Sequence, residues 1–487
     1  MSAGSARALQ ELRDDRIRPR AGATDGQLRL LMASGGDERL GLDPATRRNR
    51  YGVPAGPAAD ELWLSSSTAC AVSARGWTHA SEALARLVTP QAAARTSIGA
   101  FFDALRERLL ALYGAPGAEA VLSASGTEAE FLALLTAAAL GGGPVANIVV
   151  GPGETGSGVP AAAAGRHFLP RASLGGPVAC GARLAGLAEA GVTLETIEIR
   201  CHGGRLREAA DVDTDAVEAV DRAVAAGRFA LLHVLDASKT GRTAVSRAAA
   251  RGIAARHPER ALVVVDACQL RCAASDIRAD LEAGLAVMVT GSKFAGGPPF
   301  CGALLIPAAV AGRLRAAPPA AEALGQYTAA LDWPAALRPA TPHPANLGLG
   351  LRWTAALAEI EAYEAIPAGR RAELLAAFDA AARWRIAAAD GLAVLDADQG
   401  AGAPGLIAVA HTDGADARKV YAALADPADP AFPRVHLGQP VMVGWRAALR
   451  VCASMPMISF AAQHGVGALE ADLDLAFEAW SAARIRA

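Results

Sequence analysis

Lysine is nearly absent from this chain of 487 residues. Of its 47 basic residues, only Lys239, Lys293 and Lys419 are lysines, so the other 44 are arginines. The guanidinium group of arginine stays protonated and does not normally attack a carbonyl carbon, whereas a lysine amine can do so. Each of the three lysines is therefore a candidate for amine chemistry.

The sequence also lacks the features of several protein classes. Its 47 basic and 49 acidic residues give a net charge of −2, which argues against a nucleic-acid partner. No apolar run reaches the roughly 18 residues that a membrane span requires, and residues 1–20 lack the apolar core of a secretory signal. An apolar content of 52% argues against disorder. We expect a soluble, cytoplasmic protein without a nucleic-acid or membrane partner.

Cysteine is also scarce. The seven cysteines are scattered and odd in number, which is typical of a reducing compartment. Cys268 and Cys272 have C-x3-C spacing, but no second pair or nearby histidine completes a zinc site, so we expect no metal. The G-x-S-x-G, H-E-x-x-H and Walker A motifs are absent too, which disfavours a hydrolase.

Between about residues 118 and 310, short β-rich segments alternate with Ala- and Arg-rich helical stretches. The β-rich segments are almost continuously apolar, as is typical of a mostly parallel sheet covered by helices on both faces. They lie at residues 145–151, 192–199, 229–236, 261–267, 285–291 and 303–307. The sequence therefore predicts an α/β fold, with a large α/β domain over residues 81–335.

The flanking regions have different patterns. Residues 1–80 are predicted to form an N-terminal arm with short helices, and residues 80–112 have helical spacing interrupted at Pro90. Residues 336–487 are predicted to form a smaller α+β domain. It begins with a helix over 347–366, has strands at 392–396, 405–411 and 448–454, and ends in a helix. Residues 437–440 are predicted to be a loop of this domain, and residues 65–70 a turn or a loop that closes over substrate.

Lys293 is the strongest of the three lysine candidates. It directly follows the apolar segment 285–291 and precedes a Gly-Gly-Pro-Pro loop at residues 296–299. Ligands of open parallel sheets bind beyond the carboxyl ends of the strands, where Lys293 is predicted to lie. Lys239 also follows a strand, but it lacks such a loop and a preceding acid at comparable spacing. Lys419 lies in a predicted exposed helix.

Two further motifs lie at predicted strand ends or helix starts. Asp266 ends segment 261–267, where it either caps the next helix or faces the same crevice as Lys293. Ser125-Gly126-Thr127-Glu128 is a capping box at a helix start. The free N–H groups of such a helix start also suit an anion such as phosphate.

Three motifs, taken in chain order, resemble those of the fold type I pyridoxal-phosphate enzymes. They are Ser-Gly-Thr-Glu128, Asp266-x-x-Gln269, and Thr-x-Ser-Lys293 with its Gly-Pro loop. The sequence is most similar to the class V aminotransferase group, over about residues 65–310 and more thinly over 449–451. The resemblance implies a fold type I large domain and pyridoxal 5′-phosphate as cofactor. It also implies a homodimer that acts on a small-molecule substrate, an amino acid or an amine.

The resemblance further implies a role for each motif residue. Lys293 would hold the cofactor as a Schiff base and then act as the acid and base, and Asp266 would keep the pyridine nitrogen protonated. Gln269 would lie near the ring hydroxyl, and Arg450 would bind the substrate carboxylate. The other implied cofactor contacts are Ser125, Gly126, Thr127, Thr155, Ser238, Thr290 and Ser292.

Three positions depart from the family pattern. Thr155 stands where relatives commonly stack an aromatic residue on the ring, Ser292 where they often carry histidine, and Ser238 where many have asparagine. His167 is a candidate to fold over the ring in place of the missing aromatic residue, although a surface or capping role is the simpler interpretation.

The reaction is less strongly indicated than the cofactor. Transamination needs only Lys293, Asp266 and a carboxylate-binding residue, so an aminotransferase is the first prediction. A lyase that catalyses β-elimination, decarboxylation or retro-aldol cleavage is the alternative, and a non-catalytic scaffold with the same fold is the second alternative. A cysteine desulfurase would need a nucleophilic cysteine on a mobile loop, and neither Cys301 nor Cys452 suits that role.

Overall fold

The computed structural model describes residues 25–58, 60–88, 97–187, 191–319, 324–400 and 402–485. Its strands are β1 (Glu61–Leu64), β2 (Glu119–Ser123), β3 (Val145–Val150), β4 (Thr193–Ile197), β5 (Phe229–Leu235), β6 (Ala261–Ala267), β7 (Ala286–Thr290), β8 (Gly302–Ile306), β9 (Leu392–Val394), β10 (Leu406–His411), β11 (Arg434–Val443) and β12 (Arg446–Cys452).

The helices follow in the same chain order: α1 (Asp25–Met32), α2 (Ala74–Val88), α3 (Ile98–Ala111), α4 (Gly126–Gly141), α5 (Val159–Ala163), α6 (Ala209–Ala225), α7 (Arg247–Arg256), α8 (Ala274–Glu282), α9 (Ala308–Ala316), α10 (Leu347–Glu364), α11 (Ala368–Ala388), α12 (Ala417–Ala425), α13 (Met455–His464) and α14 (Gly467–Ile485). The predicted arm before residue 25 and the predicted break at Pro90 lie outside the described residues. Within the described ranges, no helix has the length and apolar character that a bilayer span requires.

The larger sheet has seven strands in the order β2-β8-β7-β6-β5-β3-β4. Strand β8 runs antiparallel to its neighbours β2 and β7, and the other described pairings in this sheet are parallel. All six segments predicted from the sequence are strands of this sheet, which confirms the predicted mostly parallel α/β architecture. The edge strand β2 was not predicted.

Burial on both faces explains why these strands could be identified from the sequence. Every residue of β3, β5, β7 and β8 is buried, so the strands are apolar almost throughout. Helix α4 packs against the sheet and is itself buried from Thr127 to Ala137. Burying one Val or Leu side chain contributes roughly 1.5–3 kcal/mol, so this layer holds the strand ends in fixed positions.

The smaller sheet has the order β1-β11-β12-β10-β9. Its edge strand β1 comes from the segment predicted as the N-terminal arm and pairs in parallel with β11, from Glu61 opposite Arg434 to Leu64 opposite Leu437. The loop prediction for residues 437–440 is wrong, because these residues lie within β11. The register shifts between Gly438 and Val441, where Pro440 has no N–H for the ladder.

Helix α10 connects the two parts of the structure. It is buried along most of its length and packs against α2, α3 and α13. The Trp353 indole donates a hydrogen bond to the Gly302 carbonyl at 2.9 Å, and the Arg352 guanidinium donates to the Phe300 carbonyl at 2.7 Å. These two bonds fix the entry to β8 directly behind the loop that carries Lys293.

Candidate active site

A partly open cavity lies at the carboxyl ends of the parallel strands. Its volume is about 1110 Å³ when the part open to solvent is included, enough for a small-molecule ligand. Ten of the eleven site residues predicted from the sequence line it. They are Ser125, Gly126, Thr127, Thr155, Asp266, Gln269, Thr290, Ser292, Lys293 and Arg450. The eleventh, Ser238, does not line this cavity.

The N-terminus of α4 forms one wall. The Ser125 hydroxyl caps the helix by accepting a hydrogen bond from the Glu128 N–H at 3.2 Å. A Cβ atom on Gly126 would lie 2.7 Å from Cys268 Sγ, so glycine lets this helix start approach the end of β6 closely. Ser125, Gly126 and Thr127 line the cavity, so the N-terminus of α4, an end of a helix that attracts anions, lies at its wall.

Two strand ends form the floor of the cavity. Asp266 is the penultimate residue of β6, and its Oδ1 accepts a hydrogen bond from the Cys268 N–H at 3.0 Å. Thr290 ends β7, and its hydroxyl donates to the Cys268 carbonyl at 2.7 Å. Through this bond Thr290 holds the loop after β6 against the end of β7.

Lys293 lies in a tight loop between β7 and β8. The Gly296 N–H donates to the Lys293 carbonyl at 2.8 Å, and the Gly297 N–H donates to the Gly291 carbonyl at 2.9 Å. The Gly291 N–H in turn donates to the Cys301 carbonyl at 2.8 Å. These bonds fix the backbone on both sides of Lys293, so its side chain extends into the cavity from a rigid base.

Arg450 on β12 faces the cavity from the smaller sheet and is 2% exposed. Its Nη2 donates to Thr68 Oγ1 at 3.1 Å and also to the Gln439 carbonyl. Its Nε and Nη1 are buried and have no hydrogen-bond partner among the described residues. Burial lowers the pKa of this guanidinium. An unpaired buried donor of this kind is costly, which indicates a polar ligand.

Two other polar atoms at the cavity are also unpartnered. Gln269 donates through Nε2 to the Ser67 carbonyl at 3.2 Å, which leaves its Oε1 buried without a partner in the described part of the chain. The Ser67 hydroxyl is also buried and has no hydrogen-bond partner among the described residues. Together with Arg450, these groups place free donors and acceptors on one side of the cavity.

Ser238 lies beside the cavity and contacts a buried carboxylate. Its hydroxyl donates to Glu154 Oε2 at 2.6 Å, and Glu154 also accepts from Thr240 and Arg200. Arg200 also forms a salt bridge with Asp396, which lies just after β9 of the smaller sheet, with 2.8 Å between Nη2 and Oδ2. Ser238 thus helps to hold a buried ionic network whose carboxylate Glu154 lines the cavity.

The neighbouring Lys239 lines the cavity instead. Burial, and then the positive charges of Arg450 and Lys293, lower the pKa of Lys239 to about 8. Lys419, in contrast, is exposed on α12, as predicted.

Sequence reasoning missed several cavity residues, among them Arg39, Tyr51 and Gln439. The Arg39 guanidinium pairs with Asp37 at 2.9 and 2.6 Å and lies over the rings of Phe168 and Phe300. No local motif marks these positions. By contrast, the tract at residues 65–70 was noted as a turn or a closing loop, and Ser67 and Thr68 of this tract line the cavity.

Three other residues considered in the sequence are His167, Cys268 and Cys272. His167 does not line the cavity, and its Nδ1 lies 2.6 Å from the Tyr327 hydroxyl. Cys268 lines the cavity and Cys272 does not. In the described ranges, no group of three or more His, Cys, Asp or Glu side chains is arranged to hold a metal ion.

Several solved structures have a fold similar to that of this chain. The chain is similar to the cysteine desulfurase CsdA from Escherichia coli, with 14% identity over 85% of this chain and 94% of that chain and a TM-score of 0.51. It is similar to an alanine–glyoxylate aminotransferase from Nostoc sp., with 16% identity, 87% and 94% coverage and a TM-score of 0.51. It is also similar to a phosphoserine aminotransferase from Cytophaga hutchinsonii, with 14% identity, 85% and 98% coverage and a TM-score of 0.51.

No protein-family profile and no curated protein sequence matches the chain. The likeness to the three solved enzymes confirms the fold type I architecture that the sequence motifs predicted. At 14–16% identity the likeness concerns the fold, so the reaction has to be argued from the side chains that line the cavity.

Proposed function

We propose that this protein is a pyridoxal-phosphate-dependent aminotransferase in which Lys293 binds the cofactor. The observation that carries the proposal is the convergence of four groups on one cavity: the Lys293 amine, the Asp266 carboxylate, the N-terminus of α4 and the buried Arg450. These groups come from four separate elements, and each suits a different part of the same ligand pair.

The donor set fits the cofactor. A phosphate matches the helix N-terminus at Ser125, Gly126 and Thr127, where backbone N–H groups and a hydroxyl are available. A side chain on Gly126 would fill this cradle, since its Cβ would lie 2.7 Å from Cys268 Sγ. The unpartnered Oε1 of Gln269 suits a polar substituent of the ring.

When bound, the pyridoxal ring would supply an electron sink for the α-carbon of an amino acid. Asp266 would hold a proton on the ring nitrogen, and the backbone N–H of Cys268 keeps this carboxylate in position. The Lys293 amine would attach to the cofactor and later take a proton from the α-carbon and return it. Arg450 would bind the substrate carboxylate through its free donors on Nε and Nη1.

The test of the cofactor is a visible absorption spectrum of the protein after incubation with pyridoxal phosphate. We expect a band that disappears on borohydride treatment, with the reduced label located on residue 293 by mass spectrometry. Lys293→Ala should abolish the band, whereas Lys239→Ala should keep it. A protein that stays colourless, or a label on Lys239, would contradict the proposal.

The test of the reaction uses single turnovers with a panel of amino acids. Transamination predicts a keto acid in an amount equal to the enzyme, without release of ammonia or carbon dioxide. Release of either product would instead assign a lyase. The resemblance also implies a homodimer, which stays a prediction that light scattering can check.

A further inference from the structure

Lys239 is a second amine in the cavity, and the backbone around it fixes its position. The backbone N–H of Lys239 donates a hydrogen bond to the Glu154 backbone carbonyl at 2.9 Å. The turn is closed by the Ser238 N–H, which donates to the Arg242 carbonyl at 2.8 Å, and by the Gly241 N–H, which donates to the Ser238 carbonyl at 3.0 Å. Lys239 therefore extends into the cavity from a rigid turn directly after β5.

The charges around Lys239 are unbalanced. Lys293 and Arg450 line the same cavity and add two more cations. The fourth cation, Arg39, is already paired with Asp37 at 2.6 Å. Lys239 itself forms no salt bridge or side-chain hydrogen bond with any described residue.

The two carboxylates of the cavity do not remove this excess. Glu154 lines the cavity and its charge opposes the lowering of the Lys239 pKa, but its carboxylate already accepts hydrogen bonds from Ser238, Thr240 and Arg200. Asp266 lies on the floor and accepts from the Cys268 N–H. The cavity thus has a free, partly desolvated ammonium group next to the guanidinium that would bind a substrate carboxylate.

Burial and the repulsion from Arg450 and Lys293 are the reasons for the lowered pKa of Lys239. A bound anion would offset both the burial of the ammonium group and the repulsion from its neighbours, because it would supply a counter-charge and a hydrogen-bond acceptor. A neutral side chain on the substrate would supply neither. The proposed function assigns the cofactor phosphate to the N-terminus of α4, so a second anionic group on the substrate would give Lys239 a counter-charge of its own.

We propose that Lys239 determines substrate specificity by binding a second anionic group on the amino-acid substrate, while Arg450 binds the α-carboxylate. The inference rests on the proposed function, since it assumes that an amino acid binds beside Lys293. It assigns the substrate class as amino acids whose side chains end in a carboxylate or a phosphate.

The experiment uses the cofactor-loaded protein and three matched pairs of ligands: aspartate and asparagine, glutamate and glutamine, and phosphoserine and serine. Binding is followed by the change in the visible spectrum. We expect the wild-type protein to bind at least one anionic ligand more tightly than its neutral partner. In Lys239→Met this preference should fall by roughly 10- to 150-fold, the factor that a hydrogen bond to a charged group provides.

Two further variants sharpen the test. Lys419→Met removes an exposed lysine from α12 and should leave the preference unchanged. Lys239→Arg keeps the positive charge, so it should retain much of the preference even if Lys239→Met folds poorly. Equal weakening of anionic and neutral ligands in Lys239→Met would overturn the inference, because it would assign Lys239 to the α-carboxylate.

The outcomes separate this inference from the proposed function. A wild-type protein that forms the cofactor band but shows no preference within any ligand pair overturns the specificity role alone. A protein that forms no cofactor band contradicts the proposed function and removes the basis of the inference as well.

Discussion

Gly126 offers a sharp test of how closely the anion cradle is packed. The Cβ of an alanine at this position would lie 2.7 Å from Cys268 Sγ, 3.4 Å from Thr290 Cγ2 and 3.6 Å from Cys268 Cβ. The backbone of Cys268 cannot easily move away, because its N–H donates to Asp266 and its carbonyl accepts from Thr290. Gly126→Ala therefore pushes α4 away from the strand ends or displaces the loop that holds Asp266.

The magnitude follows from two opposing effects. Overpacking a well-packed region costs about 1–3 kcal/mol, and replacing glycine by alanine in a helix gains up to about 1 kcal/mol. We expect Gly126→Ala to lower the free energy of unfolding by about 1–2 kcal/mol. In a Cys268→Ala background the nearest cysteine atom left is the Cβ at 3.6 Å, an ordinary contact, so the penalty should vanish there.

The assay is a double-mutant cycle with the wild type, Gly126→Ala, Cys268→Ala and the double variant. Urea unfolding followed by circular dichroism gives the stability, and titration with pyridoxal phosphate gives the affinity. The contact predicts a coupling free energy of about 1–3 kcal/mol between the two positions. If the two substitutions instead have additive effects, the close approach of Gly126 to Cys268 does not control the cradle.

Three other substitutions test buried charges. Burial raises the pKa of Glu128 from 4.5 to about 8, so between those pH values only the unfolded chain loses this proton and the free energy of unfolding falls as pH rises. Glu128→Gln should abolish this pH-dependent loss and raise the free energy of unfolding by roughly 3 kcal/mol at pH 7, measured by urea unfolding. Arg352→Met leaves the carbonyls of residues 32, 34 and 300 without their donor, whereas the carbonyl of residue 35 keeps its bond from Asn346, and we expect a loss of roughly 3 kcal/mol or more with faster hydrogen exchange at residues 33–40. Arg200→Met removes the cation that Glu154 and Asp396 share, but Asp396 keeps Arg242, whose Nε lies 3.7 Å from its Oδ2. We expect a cost of about 3 kcal/mol in thermal or urea unfolding, whereas Arg222→Met, at an exposed pair, should cost less than 1 kcal/mol.

The parts of the fold that could be predicted are those with a strong local signal. Strands β3 and β5 to β8 are buried on both faces, and their apolar runs are visible in the sequence. Strand β11 gives a weaker signal, because Gly438 and Pro440 within it are typical of a turn. Strand β1 has four residues, and it is stabilised by pairing with β11, more than 360 positions later in the chain. Such pairing leaves no periodicity in the sequence.

The same distinction applies to the site. Lys293, Asp266 and the Ser125–Thr127 cap directly follow strands or begin a helix, so a local pattern marks them. Ser67 and Gln439 reach the cavity because β1 pairs with β11. The direction of the Ser238 side chain depends on its bond to Glu154, 84 positions away. Position in the chain predicts that such a residue is near the site, but only the tertiary contacts decide what it binds.

The scarcity of lysine is informative because two of the three lysines line the same cavity. A surface charge or a salt bridge can be formed by arginine, and this chain uses arginine for nearly all of them. An arginine cannot replace an amine that must lose its proton to bind a carbonyl carbon. The need for such an amine accounts for Lys293. Lys239 lines the same cavity, where burial and then the charges of Arg450 and Lys293 lower its pKa to about 8. We expect Lys239→Arg to retain much of the preference for an anionic ligand, because the positive charge is what binds the second anionic group. Complete loss of the preference in Lys239→Arg would contradict this reasoning and would show that the cavity requires the smaller, strongly hydrated ammonium.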